Sequence, residues 1–376
     1  MRQGKASITY IDTRKLFLLI IIVTVMAVSM NYYLKWTRVY AMEFLSQDLA
    51  SSWQVSDPKI IKQVSEELSS KTLSGKVPRP TKGIVVLRLS SRREAREYVF
   101  TNPQVIFDVK KGQAYKTSKE LNRILQTALD ELRHRSPFGE LLDWEDVAQR
   151  LKIGDEAQVR DLDSGKSFSM RRTGGNNHAE IEPIDERDSV TIKMLYGGQW
   201  SWKRRAVVVE LNGLKIAGSL VGMPQGHDNI GNNGCNGSLG IFFPGRAVER
   251  SNNLSNLVMI WKAAGKTLEK LQGMSPEKTL LVLFTFLDQS DREGVKQMIY
   301  SANSVQPVNI TNVVGITIKR LQKQSNFVYI VTASVNLASG PYNYPRTVKV
   351  RFIKDENTGV YLAYPDFLGV LLKPAR

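Results

Sequence analysis

Residues that build metal centres and disulfide frameworks are scarce in this chain. One cysteine, Cys235, stands among 376 residues, which excludes an internal disulfide and any multi-cysteine zinc site. Three histidines, His134, His178 and His227, leave little material for a histidine-rich centre. Acidic residues are also in deficit, with 36 Asp and Glu against 52 Lys and Arg and a net charge of +16. That imbalance favours anionic partners, among them phospholipid head groups, cell-wall polymers and nucleic acid. The remaining composition, 42% hydrophobic and 23% charged, is that of a globular protein and excludes collagen-like repeats and wholesale disorder. The length suits two or three domains.

One long uncharged run is present. Leu16 to Tyr33 carries no charge, and at ~1.5 Å rise per residue it is just long enough to cross a bilayer. Arg2, Lys5, Arg14 and Lys15 precede it, opposed only by Asp12, whereas Lys35 and Arg38 follow. The positive-inside rule therefore places residues 1–15 in the cytoplasm and everything after the 16–33 helix outside it. Tyr32, Tyr33 and Trp36 suit the outer interface. A cleaved signal peptide is the alternative, because Ala27-Val28-Ser29 is a passable small-x-small site. Either way the bulk of the chain works outside the cytoplasmic membrane. Nucleic acid then falls as a partner, and anionic wall polymer, the membrane face and other envelope proteins rise.

The pattern of the exported part predicts an α+β protein in several pieces. Residues 34–80 read as a helical stalk and linker, with Asp57-Pro58 starting a helix and Ser74 to Pro80 forming the linker. Residues 81–135 read as a small α/β unit with strands at Ile84–Leu87 and Val105–Phe107. A capping box of Thr117 and Glu120 opens its amphipathic helix. Residues 136–272 read as a glycine- and asparagine-rich, mainly β domain, in which Asn212-Gly213 marks a type I′ hairpin. It ends in a strand at Leu239–Phe243 and a closing helix over Leu254–Leu271. Residues 275–376 read as two helices followed by an antiparallel meander, with strands near 312–321, 326–337, 346–354 and 359–363.

Three groups of residues carry candidate chemistry. Cys235, with His227 eight residues upstream, is the candidate nucleophile, and an adjacent base is what a thiol needs to ionise near neutral pH. His178, Glu180 and Glu182 share one face of an extended segment and are the candidate metal ligands. Trp200, Trp202, Lys203, Arg204 and Arg205 form a basic tryptophan segment suited to sugar rings and anionic groups, and Asn232 and Asn233 extend that candidate ligand site. No cofactor is expected.

Several ordered words resemble a known family. Asn176 to Pro183, Gly197 to Ala206, Gly222-Met223-Pro224 and Gly231-Asn232-Asn233 are similar to a little-studied envelope domain of clostridia-like Gram-positive bacteria that accompanies peptidoglycan-binding modules. The resemblance spans about residues 160–265 and implies a wall-associated role. The family's last strand reads Gly-His-Phe-(Cys or Asp)-Ile-His-Phe, whereas Ser238, Gly240 and Phe242 hold its polar positions here. Glu249 and Gln225 likewise stand where histidines are common, so the resemblance implies a degenerate copy. Asn232 to Gly237 is also similar to the Ser/Thr-His-Gly-Cys signature of L,D-transpeptidases, with Asn233 in place of the histidine. The order of elements in 275–376 resembles the nuclear-transport-factor-2-like (cystatin-like) fold, shared by assembly factors of type IV secretion. These features imply a non-catalytic binding or scaffolding factor at the wall–membrane interface. The alternatives are a peptidoglycan-modifying enzyme and a secretion or conjugation component.

Overall fold

The computed structural model describes residues 13–70, 80, 84–245, 248, 253–300, 310, 312–338 and 343–373. The chain is mixed α and β, with an apolar helix near its N-terminus. That helix, α1 (Thr13–Thr37), contains a stretch, Ile20–Thr37, long and apolar enough to span a membrane, and none of the stretch is buried against protein. The chain divides into two compact units, one ending at Ser136 and the other beginning at Pro137.

The first unit is one antiparallel sheet of six strands: β1 (Val39–Ser46), β2 (Ser51–Val55), β3 (Val85–Ser91), β4 (Ala95–Phe100), β5 (Val105–Asp108) and β6 (Gln113–Lys116), in the order β2-β1-β3-β4-β5-β6. The stalk expected over 34–80 is therefore replaced in part by strands. Met42 and Phe44 alternate with more exposed neighbours, a period of two that pairs β1 with both β2 and β3. The β1–β3 ladder also runs across the boundary expected near residue 80. The linker at 74–79 lies outside the described residues. α2 (Pro58–Ser70) starts where Asp57-Pro58 predicts and buries Ile61, Val64 and Leu68. α3 (Lys119–Arg135) buries Leu121, Leu125, Ala128 and Leu132, but its cap is Ser118, whose hydroxyl accepts from Leu121 N–H at 3.0 Å. Thr117, expected as the cap, donates to the Pro103 carbonyl instead.

The second unit contains a closed antiparallel barrel of β7 (Glu156–Asp161), β8 (Ser167–Gly174), β9 (Ala179–Pro183), β10 (Ser201–Leu211), β11 (Leu214–Gln225) and β12 (Ser238–Phe242), in the order β10-β11-β12-β9-β8-β7. Asn212 and Gly213 adopt φ of 51° and 81°, the turn that their sequence predicts. Val159, Phe168, Met170, Ile181, Val207, Val209 and Ile241 belong to one buried apolar cluster. Two helices, α4 (Trp144–Arg150) and α5 (Glu186–Leu195), add Trp144, Val147 and Ile192 to it.

The β10–β11 hairpin is buried on both faces, which accounts for the unbroken apolar run Ala206–Val209. Its outer face meets α6 (Leu254–Ala263): Ala206 and Ala217 share a cluster with Val258 and Met259. The helix expected as continuous to Leu271 breaks at Gly265, and α7 (Thr267–Leu271) follows. Gly265 has φ of 66°, and a Cβ there would sit 2.5 Å from the Phe138 ring.

The same cluster continues through α8 (Pro276–Asp288) and α9 (Arg292–Met298) into the antiparallel sheet β13 (Val313–Ser325), β14 (Val328–Leu337), β15 (Tyr344–Lys354) and β16 (Tyr361–Ala363), closed by α10 (Asp366–Leu371). Barrel and C-terminal sheet thus share a core, and the separate domains expected at 136–272 and 275–376 are one compact unit.

Buried charge crosses this core. Lys262 on α6 donates to Asp163 at 2.5 Å and to both oxygens of Asp291, the cap of α9, at 2.6 Å. Arg205 on β10 forks onto Asp161 at 2.6 and 2.8 Å. Burial opposes ionisation of Asp161, but the guanidinium and Ser164 outweigh it and hold the carboxyl below its ordinary range. Asp163 is pushed upward by burial and by the neighbouring Asp291. Lys262→Met should therefore leave buried Asp291 without an ion-pair partner and Asp163 with only Arg205 at 3.7 Å, and lower stability at pH 7 by about 3–5 kcal/mol. A carboxyl whose folded pKa is raised binds its proton more tightly when folded, so acid favours the fold at that group. The deficit of Lys262→Met relative to wild type, read from urea unfolding, is expected to shrink as pH falls from 7 toward about 4. A deficit that stays constant would mean that the lysine's alkyl packing, not its charge, is what matters.

Candidate functional site

The outer face of β9 and β12 collects the residues that the sequence singles out. Strand alternation places Ala179 and Ile181 in the core and His178, Glu180 and Glu182 on the other side. Register sets Gly240 opposite Glu180 and Leu239 opposite Ile181, so Ser238, Gly240 and Phe242 lie beside them. The spacing is read correctly, but the side chains are otherwise engaged.

Glu182 is fully buried. Its carboxylate accepts from the backbone N–H of Asn229 at 3.0 Å and of Ile230 at 2.9 Å. It also takes the Asn229 side-chain amide at 2.6 Å and the Ser238 hydroxyl at 3.0 Å. A carboxylate has about four lone-pair sites, and these four donors fill them. Glu182 therefore pins the loop 226–237 to the barrel, with Oε1 crowded by three donors and Oε2 engaged by Ile230 and a shared Asn229 N–H, and is spent on structure. His178 stacks on Phe242 with ring centroids 4.5 Å apart and planes within 7°. Burial, helped by Arg172, pulls its pKa down against the pull of Glu180, so the imidazole is neutral near pH 7. A Cβ at Gly240 would meet Phe242 at 3.1 Å and His178 at 3.3 Å, so the stacked pair already fills the space over that position. Among the described residues no group of three or more His, Cys, Asp and Glu is placed to hold a metal ion.

Cys235 lies in the same loop and is 1% exposed. Its thiol donates to the Gly237 carbonyl at 3.2 Å and meets no base there, while His227 is exposed elsewhere in the loop. Burial, reinforced by the charges of Glu182 and Asp228, pushes the thiol up to about 12. At pH 7 the thiolate fraction is then on the order of one in 10⁵. Asn233, taken as a ligand residue, is 1% exposed and structural: it accepts from Cys235 N–H, donates to the Pro183 carbonyl, and its own carbonyl takes the Ser189 hydroxyl. Asn232 is exposed at φ 52° on the turn beside it. Gly237 has φ of 113°, and a Cβ would come within 2.7 Å of the Gln225 carbonyl, which is why only glycine fits that crossing.

The basic tryptophan segment is also corrected. Between Ser201 and Arg204 the pairing of β10 with β11 slips, so the alternation expected for Trp200 and Trp202 breaks. Trp200 packs on the barrel core under the Lys193 ammonium at 4.7 Å, whereas Trp202 is 54% exposed. Lys203 donates to the Ser290 hydroxyl and the Val313 carbonyl, each at 2.5 Å. The Arg204 guanidinium turns back to the Trp202 carbonyl, and its backbone N–H donates to Gln289. Arg205 is committed to Asp161. Lys203 thus ties the barrel to the first strand of the C-terminal sheet, Arg204 and Arg205 are spent within the barrel and on the end of α8, and Trp202 is the one member of the segment whose side chain is mostly exposed.

Arg172 is the residue that sequence reasoning missed. It is 6% exposed and donates to the carbonyls of Leu151, Gly174 and Gly175, with its guanidinium 4.8 Å over the Trp144 ring. It pins the loop after β8 as Glu182 pins the loop before β12. The signal that could have found it is alternation, since Phe168 and Met170 turn inward and a period of two puts Arg172, not Arg171, on their face. No protein-family model matches the chain, and no curated protein does either.

Two outcomes test this geometry. Cys235 should resist maleimide at pH 7.5 in the folded protein and react promptly in urea; fast native labelling would contradict the buried, protonated thiol. Glu182→Gln keeps the shape but loses charge-assisted bonds worth about 1.5–3 kcal/mol each to a charged partner. It should expose 226–237 to limited proteolysis while the barrel stays resistant.

Proposed function

We propose that this chain is a single-pass, membrane-anchored envelope protein whose barrel acts as a non-catalytic scaffold at the wall–membrane interface. The observation that carries this reading is that each candidate catalytic group on the barrel is spent on structure. Glu182 is saturated by loop donors, Cys235 is buried and protonated, and His178 is stacked and neutral near pH 7. A nucleophile needs a base within hydrogen-bond reach, and Cys235 meets a carbonyl instead. The apolar, unburied helix supports the anchor, and the cationic residues before it support a cytoplasmic N-terminus. The resemblance of residues 160–265 to a degenerate wall-associated domain, and of the C-terminal helices and meander to the nuclear-transport-factor-2-like fold, agrees with a binding role.

Full-length protein in mild detergent should co-sediment with purified wall sacculi, and Cys235→Ala should sediment equally well. A reporter active only outside the cytoplasm, fused after Arg376, should be active. Failure to sediment at low salt would overturn the wall-binding role, and an inactive reporter the topology.

A further inference from the structure

We infer that the solvent face of the C-terminal sheet β13–β14–β15 is a docking surface for a phosphate-bearing polyanionic polymer. The inference rests on the wall-directed reading above and replaces Lys203–Arg205 as the place where that reading is realised.

The three strands contain Lys319, Arg320 and Lys323 on β13 and Arg346, Lys349, Arg351 and Lys354 on β15, and no Asp or Glu at all. Register sorts them by face. Val348, Val350 and Phe352 are buried, so Thr347, Lys349 and Arg351 point to solvent. Across the sheet Arg320 aligns with Thr332 and Thr347, and Gln322 aligns with Ile330 and Lys349. Strand geometry puts Lys349 and Arg351 about 7 Å apart and Arg320 about 12 Å diagonally from Lys349. Arg351 has a carboxylate partner, Asp366 at 3.1 Å. Among the described residues no carboxylate lies within ion-pair distance of Arg320 or Lys349. Like charges gathered on one rigid sheet are unfavourable unless an anion neutralises them.

The surroundings select the kind of anion. The positions between the cations hold Thr332, Thr347 (hydroxyls 3.0 Å apart), Gln322 and half-buried Ile330 and Val328. The exposed aromatics nearby, Phe327 and Tyr344, sit at strand ends, where Phe327 packs on Tyr361 and Tyr344 lies under the Arg346 guanidinium, so no apolar wedge of the kind that interfacial membrane binding requires stands between the cations. Nor is there a central aromatic or aliphatic anchor of the sort that dominates protein–protein interfaces. What remains is fixed rows of cations with hydroxyl and amide donors, which suit a flexible chain carrying many phosphate oxygens.

The test uses the full chain in mild detergent and three probes: poly(glycerol phosphate), phosphatidylglycerol vesicles and wall sacculi. Arg320→Glu with Lys349→Glu should weaken poly(glycerol phosphate) binding about tenfold or more, since two exposed charged contacts worth a factor of about three each are lost and repulsion replaces them. Arg92→Glu with Arg93→Glu, an equal charge change on exposed residues of the first unit, should weaken it less than about twofold, the effect left to long-range charge after screening. Arg320→Gln with Lys349→Gln guards against misfolding, and should lose affinity while keeping the wild-type circular dichroism and melting temperature. Equal losses in the two charge-reversal pairs would show that net charge alone attracts the polymer and would overturn the inference. So would a folded glutamine variant with wild-type affinity, or a loss confined to vesicles. Wild-type protein that sediments with sacculi but ignores poly(glycerol phosphate) would sink this inference and leave the wall-binding reading intact. Protein that ignores sacculi sinks the reading itself.

Discussion

The second unit depends on a hairpin whose middle has no solvent face. Around Ala206–Val209 and Ile216–Val221, β10 and β11 turn one side into the barrel and the other against α6, so that stretch is dry. Burying charge in such a place is expensive unless each group is matched. The sequence places Arg205 against Asp161, and Lys262 between Asp163 and Asp291, so that each of the two buried cations faces a carboxylate. Because Asp291 also caps α9 and Lys203 reaches across to Ser290 and Val313, the same polar seam sets where the C-terminal sheet meets the barrel. The apolar core brings the two together, and the charges allow one alignment.

Two charged residues do for the loops what that seam does for the core. Arg172 supplies donors to three carbonyls and Glu182 supplies acceptors to loop amides, each sign chosen by the backbone groups it must satisfy. A long glycine-rich loop would otherwise hold its shape poorly. The consequence for chemistry is direct, since a carboxylate saturated by a loop cannot also bind metal, and a thiol inside that loop loses water and with it its acidity.

The positive charge of the chain is accordingly divided between two uses. Part of it is internal: Arg205 and Lys262 contribute little field outside because carboxylates neutralise them, and Lys203 is tied to a hydroxyl and a carbonyl at the joint. The part that reaches solvent on the C-terminal sheet stands on strands without a single acid, and screening over ~8–10 Å at physiological salt still leaves it visible to a partner in contact.

Local pattern by itself determined the apolar helix, the Asn212-Gly213 hairpin, the Asp57-Pro58 start of α2, the amphipathic helix α3 and the C-terminal meander. Each of these depends on neighbours within a few residues, and periodicity and turn chemistry report such neighbours faithfully. The same logic placed His178, Glu180 and Glu182 on one face, and it was right about the face. Only tertiary structure decided that β1 joins β3, that the barrel closes, and that Trp200 and Trp202 part company at a slip in register. It also decided that Lys203 points into the joint with the C-terminal sheet and Arg205 onto a buried carboxylate rather than into solvent. These outcomes turn on partners tens of residues away, such as Asp161 for Arg205 and Asn229 for Glu182. A charge carries no mark in the sequence of whether its partner will be water or a buried carboxylate, because that choice is made by the desolvation that folding imposes.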